Sequence, residues 1–203
     1  MGQLKPGRQE FDELLRLSES NISELLRMVN ALLDVYKMEE GKLEAMPQSI
    51  ALSALADRSV AQVVPEALAK SVTVESALPQ DANVFVDDGL IVRVLTNLLA
   101  NAVKHTPSGG KVSIESARDK TLERSIVVRV RDTGPGINAE DAPHIFDRFY
   151  QGAGRSRGGT GLGLAFCKLA VELHGGSINV VNPGEAGAII QFTLPASDAA
   201  AGQ

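Results

Sequence analysis

The sequence has one cysteine, no tryptophan and only 4% aromatic residues in a chain of 203. A single thiol, Cys167, excludes an intramolecular disulfide framework and a cysteine-based zinc site. It lies within the apolar stretch "GLAFCKLAVEL", so we interpret it as a small buried hydrophobic residue and not as a nucleophile. With so few aromatic side chains, the core must be built from Leu, Val, Ile and Ala.

Long apolar runs and clusters of basic charge are also missing. No run approaches the roughly 20 residues of a membrane-spanning helix, and the N-terminus shows no signal-peptide core. The formal net charge is −5, and no basic block indicates sequence-independent binding of nucleic acid. We therefore expect a cytoplasmic segment that contacts neither nucleic acid nor a membrane.

A helical pattern free of glycine and proline runs from about Arg8 to Glu39. Its apolar positions recur in alternating steps of four and three, which is a heptad seam with one polar interruption. Gly41 is placed to end the helix. Because such a seam cannot bury itself, we favour a helical bundle, and the alternative is a helix lying on its own domain. The seam positions are Phe11, Leu15, Ser18, Ile22, Leu25, Val29, Leu32 and Tyr36.

From about Met46 the pattern changes to a mixture of helices and strands. A helix is predicted between residues 53 and 69, another over "VLTNLLANAVKHTP", and a third from about Gly161 to His174. Strand-like alternation occurs in "SVTVESAL", "NVFVD", "KVSIESA", "SIVVRVRD", "GSINVV" and "GAIIQFTLP". We predict an α+β fold, a two-layer α/β sandwich preceded by one long heptad-patterned helix. The predicted boundaries are 1–45 for the helix, 46–195 for the sandwich and 196–203 for a disordered tail.

Two asparagines stand out in the helix "VLTNLLANAVKHTP". Asn97 and Asn101 are four residues apart and so share one face, and Lys104 falls on nearly the same stripe. Asparagine is a poor helix former, so this stripe indicates a function. A side-chain amide oxygen can complete the shell of Mg²⁺ beside phosphates, and a lysine can meet a phosphate as a point charge.

Eight of the 19 glycines lie between Asp132 and Gly163, in "DTGPGI" and "GAGRSRGGTGLGL". Glycines at the entrance of a helix favour a phosphate site, because free N–H groups and the positive end of the helix dipole meet there. The alternative is a flexible loop followed by a helix cap. The Asp132 carboxylate could accept a hydrogen bond from an exocyclic amine beside Gly134 and Gly136, or could simply initiate a turn. Neither a P-loop string nor a dinucleotide fingerprint is present, so the combination predicts a nucleotide site of another type.

Four motifs, "NLLANAVKHTP", "DTGPGI", "FDRFY" and "GTGLGLAFCK", resemble in this order the N, G1, F and G2 boxes of sensor histidine kinases. The resemblance covers about residues 46 to 195 and implies the Bergerat ATP-binding fold, with ATP and Mg²⁺ as ligands. It implies a Mg²⁺–phosphate site at Asn97 and Asn101, with Asn101 as the metal ligand. Lys104 and His105 would lie beside the phosphates or ribose, and Asp132 would read the adenine amine. The remaining implied nucleotide contacts are Gly134, Gly136, Ile137, Phe149, Thr160, Gly161, Leu162, Gly163, Leu164 and, on the adenine side, Thr193.

The resemblance further implies an ATP lid over residues 138–159, anchored by Phe146 and Phe149. Arg148, Arg155 and Arg157 are candidates for stabilising the γ-phosphate during transfer, since phosphoryl transfer depends mainly on positioning and charge neutralisation. Many members of the family carry a basic residue where Gln151 stands, which leaves open which arginine acts.

The stretch "LLRMVNALLDVYKMEEGKLEA" resembles the second helix of the family's dimerisation and phosphotransfer hairpin, with "LKPG" as the hairpin turn. The phosphoacceptor histidine of the family lies on the first helix, and none of His105, His144 and His174 has the expected neighbours. We therefore expect a fragment that binds ATP or ADP and phosphorylates a histidine on an absent helix. The resemblance implies a response regulator receiver domain as partner and a homodimer in the full-length protein, whose parent could be membrane-anchored. Two alternatives stay open: a serine kinase of the anti-sigma-factor type, and a nucleotide-gated binding module without catalysis.

Overall fold

The computed structural model describes residues 8–118, 124–152 and 160–197, which form four helices and seven strands. The long helix α1 spans Arg8–Glu39, and its C-terminal end confirms the end predicted from its pattern. It ends where Gly41 adopts a φ of +63°, a conformation that glycine enters without steric cost. The other helices are α2 (Leu52–Ala69), α3 (Asp88–His105) and α4 (Gly163–Leu173).

Five strands form the main sheet and two form a small one, which confirms the predicted α/β sandwich. The main sheet has the order β2-β4-β5-β7-β6, antiparallel except for the parallel pair β2 and β4. The small sheet pairs β1 with β3 antiparallel, and β1 was not predicted from the sequence. The strands are β1 Gln48–Ala51, β2 Thr73–Ala77, β3 Asn83–Val86, β4 Lys111–Arg118, β5 Ser125–Asp132, β6 Ile178–Val180 and β7 Ile189–Pro195.

The core lies between one face of the main sheet and the helices. In β7, Ile190, Phe192 and Leu194 are buried, whereas the alternate residues are only half-buried. This period of two places successive side chains on opposite faces of the sheet. In α3 the buried residues are Ile91, Val92, Val94, Leu95, Leu98, Leu99, Ala102 and Val103. The asparagine stripe of α3 is consequently left half-buried at the rim of the core.

Helix α1 packs against α4 through a stripe near its C-terminal end. Val35 is 0% and Met38 9% exposed, and both belong to the hydrophobic core. The apolar residues of the predicted heptad seam lie on another side of the helix and are 44–60% exposed. The helix therefore lies on its own domain through a different stripe. The bundle remains a prediction, in which the exposed seam would meet a partner helix.

His174 holds the junction between β3 and α3. Its Nε2 accepts a hydrogen bond from the backbone N of Asp87 at 2.9 Å, and its Nδ1 donates to the carbonyl of Ala170 at 2.7 Å. Asp87 in turn caps α3, because its Oδ1 accepts from the backbone N of Leu90 at 3.0 Å. Both ring nitrogens are thus used structurally.

The first two residues of the predicted tail are bonded to the domain. The backbone N of Ala196 donates to the carbonyl of Arg124 at 2.8 Å, and the backbone N of Ser197 donates to that of Asn83 at 2.9 Å. The rest of the predicted tail and the predicted hairpin turn "LKPG" lie outside the described residues. Within the described ranges, no helix combines the length and apolarity needed to cross a bilayer.

Candidate nucleotide site

A cleft of about 920 Å³ opens between the four helices, the turn after β5 and the start of β7. At one end it is lined by α1 and α2, and at the other by residues that the sequence analysis assigned to a nucleotide. The cleft brings together most of that predicted set: Asn97, Asn101, Lys104, His105, Asp132, Gly136, Ile137, Thr160, Gly161, Gly163 and Leu164.

Asp132 lies at the end of β5, where it is only 8% exposed. Its Oδ1 accepts two backbone hydrogen bonds, from the N of Gly134 at 2.8 Å and from the N of Ala188 at 3.2 Å. These bonds fix the orientation of the carboxylate. Among the described contacts, both bonds go to the same oxygen, so Oδ2 is left to accept a hydrogen bond from a ligand amine in the cleft.

The turn "DTGPGI" needs its glycines for close backbone approach. A Cβ on Gly134 would lie 2.8 Å from the carbonyl oxygen of His105, and one on Gly136 would lie 1.7 Å from that of Glu185. Gly136 also has a φ of +80°, which is unfavourable for other residues. The backbone N of Gly187 donates to the carbonyl of Gly134 at 2.8 Å, so the turn is joined to the segment that leads into β7. This packing holds Asp132 at the rim of the cleft.

Helix α4 opens onto the cleft with its N-terminus, where the side chain of the N-cap residue Leu162 makes no capping hydrogen bond. Gly161, Gly163 and Leu164 line the cleft there, and Leu162 is buried. The first N–H groups of a helix have no intrahelical acceptor, and the helix dipole adds positive charge at the same place. This geometry suits an anion such as a phosphate chain.

The stripe on α3 forms the facing wall. Asn97, Asn101 and Lys104 are half-buried and line the cleft. The C-terminal end of α3 is fixed by Lys70, whose Nζ donates to the carbonyls of Val103 at 2.9 Å and of Lys104 at 2.5 Å. The predicted amide and ammonium groups therefore line the same cleft as the first residues of α4.

The donor set fits a magnesium ion that arrives with a nucleotide. The described residues contain no group of three or more His, Cys, Asp or Glu side chains that could hold a metal by themselves. Mg²⁺ commonly takes one or two protein oxygens and completes its shell with phosphate oxygens and water. The amide oxygen of Asn101 can supply one such ligand.

Thr193 is a correction to the sequence prediction. It does not line the cleft, and its Oγ1 accepts a hydrogen bond from the backbone N of Ser177 at 2.9 Å. The strand period explains this position, because Thr193 alternates with the buried residues Phe192 and Leu194 and so faces away from the helices. Ala188 stands beside Asp132 instead, and it lines the cleft. The alternation in "GAIIQFTLP" could have revealed this.

Only one of the two phenylalanines predicted to anchor a lid packs against the protein core. Phe146 packs partly buried against the core, as predicted for an anchor. Phe149 is a correction: its side chain is 61% exposed, and it does not line the cleft. Its backbone contacts the glycine loop instead, with the N of Phe149 donating to the carbonyl of Gly161 at 2.9 Å. A φ of +62° turns this residue, which is uncommon outside glycine.

Arg148 is bound outside the cleft. Its Nη1 donates to Oε2 of Glu39, in the last turn of α1, at 2.8 Å, and the residue does not line the cleft. This position does not match the predicted contact with the γ-phosphate, because the ion pair holds the guanidinium against α1. The other two candidates, Arg155 and Arg157, lie outside the described residues.

The cleft is also lined by residues that were not predicted, among them Arg93 and Tyr150. Arg93 forms an ion pair with Asp34 of α1, and its guanidinium lies 3.9 Å from the ring centroid of Phe166. It stands one turn before Asn97, so extending the helical stripe would have found it. Tyr150 donates its hydroxyl hydrogen to Oδ1 of Asp141 at 2.6 Å, which raises the pKa of the tyrosine.

The comparison with known proteins gives the same class as the fold and the cleft. Residues 86–198 match the model of the histidine kinase-, DNA gyrase B- and HSP90-like ATPase family. That match covers more than half of the chain, so the chain belongs to this family. It confirms the family predicted from the four motifs.

The similar proteins are sensor histidine kinases. The chain is 36% identical over 181 residues to the sensor protein KdpD of Clostridium acetobutylicum, covering 84% of this chain and 19% of KdpD. It is 32% identical over 184 residues to the adaptive-response sensory kinase SasA of a Nostoc species, covering 90% of this chain and 45% of SasA. The chain thus spans less than half the length of these relatives.

Solved structures of histidine kinases share the fold. Full-length ShkA in complex with AMPPNP superposes with a TM-score of 0.82 at 26% identity, over 97% of this chain and 41% of ShkA. The catalytic domain of histidine kinase ThkA gives a TM-score of 0.65 at 28% identity, over 74% of this chain and 95% of that domain. The ThkA match confirms that the two-layer sandwich is the fold of a histidine kinase catalytic domain.

Proposed function

We propose that this chain binds ATP with Mg²⁺ and performs the phosphotransfer step of a sensor histidine kinase in a two-component system. It would move the γ-phosphate to a histidine on a helix that this sequence does not contain. One observation carries the proposal: Asp132, the α3 stripe and the N-terminal end of α4 converge on a single cleft. The ShkA structure, solved with AMPPNP, supports a nucleotide as the ligand.

The adenine would lie at the β5 end of the cleft. Asp132 is already oriented by two backbone bonds, so its Oδ2 would accept a hydrogen bond from the exocyclic amine. Ile137, Ala188 and Ile190 offer apolar surface to the ring. A guanine presents a carbonyl at the corresponding position, and two acceptors would then face each other. The site should therefore prefer adenine.

The phosphates would lie between the two helices. The free N–H groups at Gly163 and Leu164 would bind phosphate oxygens, and Lys104 would approach from α3. Asn101 would hold Mg²⁺ through its amide oxygen, and the metal would neutralise charge on the β- and γ-phosphates. His105 and Thr160 line the same region, where they would contact ribose or phosphate.

In the reaction, an imidazole nitrogen of the acceptor would attack the γ-phosphorus and ADP would leave. The chain would contribute mainly positioning and charge, as is usual for phosphoryl transfer. Arg148 could join the site after leaving Glu39. The two side chains are 50% and 32% exposed, so the pair is worth about 1 kcal/mol or less, and its release costs little.

The partners follow from the same proposal. A response regulator receiver domain would take the phosphate from the acceptor histidine. The exposed seam of α1 would form a homodimer in the full-length protein, because its apolar side chains are otherwise in contact with water. We place this segment in the cytoplasm, where ATP and the regulator are available.

The test is a transfer assay with γ-labelled ATP, Mg²⁺ and a separately supplied hairpin that carries the phosphoacceptor histidine of a related kinase. We expect base-stable, acid-labile label on the hairpin, and none when its histidine is replaced by glutamine or when Asn101→Ala replaces the wild type. Acid-stable label on a supplied protein would favour the serine kinase. ATP binding without any transfer would favour the nucleotide-gated module.

A further inference from the structure

The two asparagines of α3 are equivalent in the sequence but not in the structure. The Nδ2 of Asn97 donates to the backbone carbonyl of Gly163 at 3.3 Å. For Asn101, the described residues provide no such side-chain bond, and its amide faces the cleft. The amide of Asn97 is therefore oriented by a bond from its Nδ2 to α4, whereas that of Asn101 is left for a ligand.

The partner of Asn97 is the first residue of the helix whose N-terminus faces the phosphates. Gly163 begins α4, and the Asn97 side chain packs close to it: a Cβ on Gly163 would lie 3.7 Å from the Cγ of Asn97. The other side of this turn is fixed through the bond from the N of Phe149 to the carbonyl of Gly161. Asn97 thus connects α3 with the first turn of α4.

A second contact between the same two helices lies one turn further along α4, at Cys167. Cys167 is fully buried, and its Sγ lies 3.7 Å from the carbonyl oxygen of Val94 in α3. Residues 94 and 97 of α3 therefore contact two successive turns of α4, and Asn97 is the side chain that is bonded to the first of these turns.

We infer that Asn97 is a positioning residue, which holds the N-terminus of α4 so that its free N–H groups point at the phosphates, and that Asn101 alone supplies the side-chain oxygen to Mg²⁺. The inference rests on the proposed nucleotide site. It separates two roles that the motif assigns to both asparagines together. The loss of Asn97 should weaken phosphate binding whether or not metal is present, and the loss of Asn101 should remove only the contribution of the metal.

The test compares Asn97→Ala with its matched control Asn101→Ala. ADP is titrated into each protein in Mg²⁺ and in EDTA, and the ratio of the two Kd values measures the metal contribution. For Asn97→Ala we expect both Kd values to rise by a similar factor of about 2 to 12, the value of one hydrogen bond, with the ratio unchanged. For Asn101→Ala we expect the Kd in EDTA to stay as in the wild type and the ratio to fall to about one.

A spectroscopic measurement without nucleotide isolates the positioning role. The amide ¹H–¹⁵N resonances of Gly163 and Leu164 should shift in Asn97→Ala and stay in place in Asn101→Ala. If a melting experiment shows that Asn97→Ala is unfolded, the same titrations are made with Asn97→Gln, which keeps the amide donor. The ratio of its Kd values in Mg²⁺ and in EDTA should equal that of the wild type.

Two outcomes would overturn the inference. If the ratio of the two Kd values changed as much in Asn97→Ala as in Asn101→Ala, Asn97 would be a metal ligand. Unchanged Kd values and unchanged α4 resonances would show that it orients nothing. If the wild type bound no ADP in either buffer, the proposed function itself would be rejected, and shifted α4 resonances in Asn97→Ala would then show a purely structural bridge.

Discussion

Replacing Gly136 with alanine tests whether the turn after β5 holds the adenine end of the site. The new Cβ would lie 1.7 Å from the carbonyl oxygen of Glu185, whereas ordinary contact begins at about 3.4 Å. The backbone at Gly136 and that at Glu185 must therefore move apart by roughly half of the ordinary contact distance. Overpacking of this kind costs about 1–3 kcal/mol. A φ of +80° adds about 1–2 kcal/mol for alanine.

Gly109 provides a matched control. It has nearly the same φ, +81°, but a Cβ there would meet no atom within 4 Å. The free energy of unfolding of Gly109→Ala should therefore fall only by the conformational cost, about 1–2 kcal/mol. The free energy of unfolding of Gly136→Ala should fall by roughly 2–5 kcal/mol, because the cost of the clash is added to the conformational cost.

The two variants should also differ in nucleotide binding. The clash in Gly136→Ala would move the turn away from the segment before β7, and Asp132 is bonded to both through Gly134 and Ala188. Urea unfolding measures the stability of each variant, and calorimetry with Mg-ADP measures its affinity. Equal stability of the two variants, together with wild-type affinity in Gly136→Ala, would refute the packing argument.

Three further predictions follow from single contacts. Asp132→Asn should lose at least about tenfold of the preference for ADP over GDP, measured by titrating both, because an amide N–H can then face the base. Burial raises the pKa of the Cys167 thiol from 9.0 to about 12, so a thiol reagent at pH 8 should label it only after unfolding. The stability that depends on the neutral thiol should be fully present below pH 9 and should be lost as the pH rises towards 12. Glu39→Gln should change the unfolding free energy by no more than about 1 kcal/mol and, by releasing Arg148, should increase affinity for a non-hydrolysable ATP analogue relative to ADP.

Elements with a long periodic pattern were predictable from the sequence. The C-terminal end of α1 was correct because nothing interrupts the helical pattern before Gly41. The four-residue strand β1 was missed, since so short a segment has no measurable period and exists only through its pairing with β3.

Some positions in the site depend on tertiary structure. The ion pair between Arg148 and Glu39 joins residues 109 positions apart, and no local pattern contains it. The side on which Thr193 lies was, by contrast, encoded in the alternation of β7 and was overlooked. The distinction between Asn97 and Asn101 needed the position of α4, which the helix stripe alone does not give.

The central claim is that this cleft binds an adenine nucleotide with Mg²⁺, and calorimetric titration of Mg-ADP into the wild type and into Asn101→Ala tests it most directly. We expect saturable binding at one site in the wild type. Asn101→Ala should lose the Mg²⁺-dependent part of the affinity while it melts at the same temperature as the wild type. No binding to folded wild type, or equal Mg²⁺-dependent affinity in both proteins, would contradict it.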